Sequence, residues 1–135
     1  MKIGKSLLFI VIIAFSFAGC KNVSEDVVGT WNFQTFDNKP QGTISWTFKD
    51  DGTLIRIATN DDGIKFDSCN YAVDKSLLKT QITINNSRDL PGYAEINGLY
   101  RIDKFKDDIL VMTRIRLGDD SEGGAYLRCE MNRKN

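Results

Sequence analysis

From Val27 onward, two-residue alternation of apolar and polar residues recurs throughout, and no stretch holds a helical three-to-four residue period beyond two turns. That alternation marks strands with one face in a core. The clearest run is Thr43-Ile44-Ser45-Trp46-Thr47-Phe48, which puts Ile44, Trp46 and Phe48 on one face. Seven further strands are expected at about Val27–Phe36, Thr53–Thr59, Ile64–Val73, Leu78–Ile84, Tyr93–Phe105, Ile109–Leu117 and Gly124–Met131. In the fifth, Leu78, Thr80, Ile82 and Ile84 are expected inward. In the fourth, Ile64 and Phe66 lie on one parity while Cys69, Tyr71 and Val73 lie on the other, which predicts a bulge near Asp67-Ser68.

Turn chemistry separates the strands. Asp50-Asp51-Gly52, Asn60-Asp61-Asp62-Gly63, Asp74-Lys75-Ser76 and Lys106-Asp107-Asp108 are short connections rich in turn formers, and Asn85–Gly92 is the longest irregular piece. Eight sequential strands joined this way are expected to form an all-β, up-and-down antiparallel barrel without exposed edges; a two-sheet β-sandwich is the alternative. The connections after strands two, four and six then close one end. Segments 37–42, 60–63, 85–92 and 118–123 rim an open mouth at the other. The residues expected to line that mouth and the cup beneath it are Phe33, Ile44, Trp46, Phe48, Ile57, Phe66, Tyr71, Ile82, Tyr100, Met112 and Leu127.

Ahead of the barrel, Lys2 and Lys5 precede an apolar run, Leu7–Phe17, and then Ala18-Gly19-Cys20. A helix needs ~20 apolar residues to span a bilayer, so this run is short for an anchor and suited to a secretory signal with a lipidation site at its end. The expected organisation is a signal peptide at 1–19, a lipidated tether at 20–26 and one barrel domain at 27–135. Because the first strand starts at the closed end, the tether leaves from there and the mouth faces away from the membrane.

Removing residues 1–19 leaves 116 residues, enough for one domain. That portion carries 16 basic and 18 acidic residues, and no basic stripe points to nucleic acid. Histidine is absent, which removes the commonest general base and metal ligand. With Cys20 acylated, Cys69 and Cys129 remain in a chain bound for an oxidising compartment. They either form a bridge or sit as two buried free thiols; their spacing leaves both readings open.

Ala18-Gly19-Cys20 resembles the lipobox of bacterial lipoproteins, in which a small residue precedes the cysteine that takes the lipid. The resemblance implies Cys20 as the attachment site and a protein anchored in the cell envelope, most simply at the outer membrane, with its domain in the periplasm or at the cell surface. Gly29-Thr30-Trp31 is similar to the Gly-x-Trp motif that opens lipocalin (calycin) barrels. Small bacterial lipoproteins with a lipocalin-like domain are similar also in Trp46-Thr47-Phe48-Lys49-Asp50-Asp51-Gly52-Thr53, in Gly98–Ile102 and in Leu110–Thr113. That likeness implies structural roles for Gly29 and Trp31, and a basic residue of the last strand packed over the tryptophan, here Arg128.

The acidic pairs at 50–51, 61–62, 107–108 and 119–120 lack the alternating oxygen ligands and late Glu of a calcium loop and are read as turn caps, with Asp119, Asp120 and Glu122 on the rim left as a place for a weakly held cation at most. Without a histidine or a placed carboxylate pair, no catalytic constellation emerges, and neither an enzyme nor a cofactor is expected. The expected role is binding of a small hydrophobic or amphipathic ligand in the cup. The alternative is a filled barrel that serves as a tethered module, or inhibitor, recognising an envelope protein or a glycan, with Leu90, Pro91 and Tyr93 as rim contacts.

Overall fold

The computed structural model describes residues 26–34, 42–89, 95–119 and 126–135. Residues 1–19 and Cys20, and with them the signal, the lipid site and most of the tether, lie outside the described residues, as do Leu90, Pro91, Tyr93, Asp120 and Glu122. The strands are β1 (Gly29–Phe33), β2 (Thr43–Phe48), β3 (Thr53–Asn60), β4 (Gly63–Lys75), β5 (Thr80–Asn85), β6 (Gly98–Lys106), β7 (Ile109–Leu117) and β8 (Leu127–Arg133). Each pairs antiparallel with its neighbours in sequence, and β8 returns to β1, so the sheet is a closed up-and-down barrel. That pairing rules out the open edges of a sandwich.

Alternation fills the interior. Trp31, Trp46, Phe48, Leu54, Ile82, Tyr100, Leu110, Met112 and Met131 are buried in one continuous core. Aromatic rings stack through it edge to face: Phe33 on Trp46 at 5.1 Å, Trp46 on Tyr100 at 6.5 Å and Phe48 on Tyr71 at 4.9 Å.

Two parities differ from the sequence expectation. The β2–β3 hairpin pairs Phe48 with Leu54 and Trp46 with Arg56, so Leu54, Arg56 and Ala58 share the inner face, and Ile57 points outward. The turn fixes this register: Lys49 N–H donates to the Thr53 carbonyl, and Thr53 N–H donates to the Asp51 carboxylate at 2.9 Å. Strand β4 then pairs without irregularity along its length, from Thr53–Asn70 to Asn60–Gly63, so the bulge expected at Asp67-Ser68 is absent. Ile64 and Phe66 lie outside, 75% and 53% exposed, and the inner position opposite Arg56 is taken by Asp67. A buried ion pair, not a kink, accounts for the change of parity. The register shifts that do occur are between β6 and β7, at Leu99/Tyr100 and Ile102/Lys104.

Strand β5 begins two residues later than the alternation suggested, because Ser76 and Lys79 close a tight loop with Leu77 and Leu78 at its tip. Leu78 is therefore fully exposed rather than inward.

Candidate functional site

At the closed end, Trp31 seals the barrel. Its indole N–H donates to the Val27 carbonyl at 2.8 Å, and Phe105 packs beside its ring at 5.9 Å. The basic residue stacked on it is Arg133, with its guanidinium carbon 4.3 Å from the ring centre. Arg128 does not fill that role. Trp31 pairs across the sheet with Arg133, so inner positions on β8 are the odd-numbered ones, and Arg128 points outward to Glu130 and Asp103. Arg133 also donates to the Val28 carbonyl at 2.9 Å and to the Asp26 carbonyl at 2.5 Å, tying the start of β1 to the end of β8. Gly29 makes room for it: a Cβ there would stand 2.5 Å from the guanidinium nitrogen, on a backbone at φ +137°.

Above this plug and the packed core, a cavity of about 130 Å³ opens toward the mouth, lined by Phe33, Ile44, Trp46, Arg56, Ile96, Leu127 and Cys129. Of the residues expected to line a cup, Phe33, Ile44, Trp46 and Leu127 do so. Phe48, Ile82, Tyr100 and Met112 face inward but are consumed by the solid core. Tyr71 sits toward the closed end, its hydroxyl donating to the Lys49 carbonyl at 2.6 Å, and Ile57 and Phe66 stand on the outer wall.

Ile96, Arg56 and Cys129 are the lining residues that alternation did not assign to the cup. Ile96 comes from the β5–β6 connection, where a network of side chains ties Ser87 to residues 95–97. Ser87 N–H donates to the Asn97 side chain at 2.7 Å, Ile96 N–H to the Ser87 hydroxyl at 2.9 Å and the Tyr100 hydroxyl to the Ile96 carbonyl at 2.6 Å. Arg114, on the inner face of β7, clamps the Glu95 and Asn97 carbonyls at 3.2 Å each. Ile96 is thereby held as a roof, only 4% exposed.

Arg56 forms one wall. It is 4% exposed and donates to the fully buried Asp67 at 3.1 Å and to the Arg88 carbonyl at 2.7 Å. Burial would raise the Asp67 carboxyl, but the Arg88 amide and guanidinium and the Arg56 charge outweigh it and hold the group below its ordinary value. This pair keeps the charge of the wall neutralised within the protein.

Cys69 and Cys129 are both free thiols and both buried. Burial pushes the Cys69 thiol up to about 11 and the Cys129 thiol up to about 12, so neither is a thiolate at neutral pH. Cys69 instead donates to the Leu54 carbonyl at 3.6 Å, and Cys129 contributes its side chain to the cavity floor.

A larger hollow of about 490 Å³ flanks the mouth between Asn85, Asn86, Glu95, Asn97 and Leu117–Asp119. It is polar, and Asn97 and Glu95 are engaged in bonds within the loop that borders it. Among the described residues, no three His, Cys, Asp or Glu side chains converge to hold a metal ion. Among the described residues, the cavity at Phe33, Ile44, Trp46 and Leu127 is a concave feature lined mainly by apolar side chains. No protein-family model, no curated protein and no solved structure matches this chain.

Proposed function

We propose that this protein is a lipid-anchored envelope protein of the lipocalin-like kind, whose barrel receives the apolar end of a small hydrophobic or amphipathic ligand. The observation that carries the reading is the cavity between Phe33, Ile44, Trp46, Ile96 and Leu127. Its volume of about 130 Å³ sets the scale of the occupant. A dry engineered cavity of ~150 Å³ accommodates benzene, whereas drug-sized ligands need ~300–1,000 Å³. A ring or the end of an acyl chain fits; a whole lipid does not. The remainder of such a ligand would extend past Ile96 into the mouth. Binding is a task this site can perform with no catalytic group.

Native mass spectrometry of the protein purified from cells in mild detergent tests the reading. A bound mass released by organic solvent and absent from an Ile44→Trp variant supports it. A bare polypeptide from well-folded wild type, together with no uptake of added short-chain acids or aromatics, overturns it.

A second reading, the tethered interaction module, is favoured by one observation. The outer wall carries Phe66 and Ile64 exposed beside Ile57, an apolar surface that the barrel itself leaves uncovered. Under that reading, Phe66→Ser abolishes capture of the partner while the cavity variant does not.

A further inference from the structure

The Ser76–Lys79 turn has the wrong residues for an ordinary hairpin tip. Such positions favour Gly, Asn, Asp and Pro, which satisfy turn geometry and water together. Here the tip is Leu77-Leu78, and both side chains are fully exposed. The turn is nonetheless well fastened: Ser76 donates to the Lys79 carbonyl through its N–H at 2.9 Å and its hydroxyl at 3.1 Å. The two leucines are therefore held outward on a short, closed loop, with Lys75 and Lys79 on either side.

Their place in the fold suggests what covers them. An up-and-down barrel puts the β2–β3, β4–β5 and β6–β7 turns, the start of β1 and the end of β8 at one end. Asp26, through which residues 1–25 join the barrel, is tied to Arg133 at that same end. If Cys20 carries the lipid, residues 21–25 allow a separation of at most roughly 20 Å between the bilayer and Asp26. The leucine tip then faces the membrane at close range.

We infer that the Leu77-Leu78 tip is a membrane-insertion point, which with the lipid on Cys20 sets the barrel closed end down on the bilayer. The inference rests on the lipid-anchored reading above. The two leucines enter the boundary between headgroups and acyl chains, and the Lys75 and Lys79 ammonium groups reach back to lipid phosphates. Asp50, Asp51, Asp107 and Asp108 on the neighbouring turns keep this end from being a basic patch. Insertion is therefore driven by apolar burial, needs no anionic lipid and resists salt.

The full-length chain, extracted in detergent and reconstituted into phosphatidylcholine vesicles, carries an environment-sensitive fluorophore on Leu78→Cys or, as a control at the mouth, on Asp62→Cys. The buried thiols of Cys69 and Cys129 remain unlabelled. The expected result is blue-shifted emission at position 78, strong quenching by lipids spin-labelled near the headgroup and protection from aqueous iodide, all unchanged in high salt, with the label at position 62 showing the reverse. If the chain partitions with vesicles but position 78 is as open to iodide as position 62, anchoring stands and the insertion inference is overturned. If the chain does not partition at all, the anchored reading falls and this inference with it.

Discussion

Asp67→Asn is the substitution that most sharply probes how this barrel is built. Asparagine keeps the shape of the side chain and removes its charge, leaving the Arg56 guanidinium, 4% exposed, without its carboxylate. Breaking a buried pair from one side costs ~3–5 kcal/mol, a large part of the ~5–15 kcal/mol that holds a domain of this size folded. Arg88 adds little to that figure, since its side chain is mostly exposed and finds water instead. The double variant Arg56→Met/Asp67→Leu removes both charges and fills the same space. It is expected to unfold within ~1–2 kcal/mol of wild type, because the desolvation of two ions disappears with their attraction. Urea unfolding followed by Trp31 and Trp46 fluorescence measures all three proteins. A pH series adds a second signature. The native Asp67 carboxyl is held below its ordinary value, so its contribution is fully present above the unfolded carboxylate pKa of ~4 and is lost as the pH falls below that through the native value. Asp103, lowered by Thr113 and Arg101 against its own burial, gives both proteins a shared acid response, so the difference between wild type and Asp67→Asn isolates Asp67. A cost under ~1 kcal/mol for Asp67→Asn, or a double variant as unstable as the two single changes added together, would refute this reasoning.

Other expectations are equally concrete. Arg133→Ala removes the contact over Trp31 and two bonds to carbonyls, and it is expected to lower stability by ~1–3 kcal/mol in urea, whereas Arg128→Ala leaves the midpoint where it was. Alkylation of the folded protein at pH 8 should spare Cys69 and Cys129, and both should react in denaturant without reductant, as peptide mapping would show; protection that persists there would mean a bridge. Ile44→Trp fills much of the cavity, so uptake of short-chain acids is expected to vanish while stability stays within ~1–2 kcal/mol, since the added ring has space to occupy.

How much of this was legible in the sequence varies from strand to strand. Strand β2 was fully readable, since Ile44, Trp46 and Phe48 alternate without interruption and all three face inward. The closed barrel followed from eight alternating runs with turn formers between them. Strand β3 was not readable from alternation alone: Ile55 and Ile57 offer the more apolar parity, but the geometry of the Lys49–Thr53 turn pairs Leu54 with Phe48 and so places Arg56 inside. Once that register is known, the rest of the network follows, because Asp67 is the acidic residue opposite Arg56. Charge complementarity across a pair of strands was the signal, hidden by the rule that interiors are apolar. Arg133 escaped notice because β8 was expected to stop at Met131, two residues short of the partner of Trp31. Ile96 was expected inside the sixth strand, which begins only at Gly98; its role as a roof comes from Ser87, Asn97, Tyr100 and Arg114 acting together, contacts that no periodicity encodes.

The claim at the centre of this account, a small apolar cup at the mouth of the barrel, is tested most directly by methyl NMR on protein labelled at isoleucine and leucine and titrated with a short-chain acid such as hexanoate. The account predicts saturable shifts at Ile44, Ile96 and Leu127, with Leu54 and Leu110, packed in the core, unmoved. Shifts confined to Ile57 and Ile64 on the outer wall, or none that saturate, would contradict it.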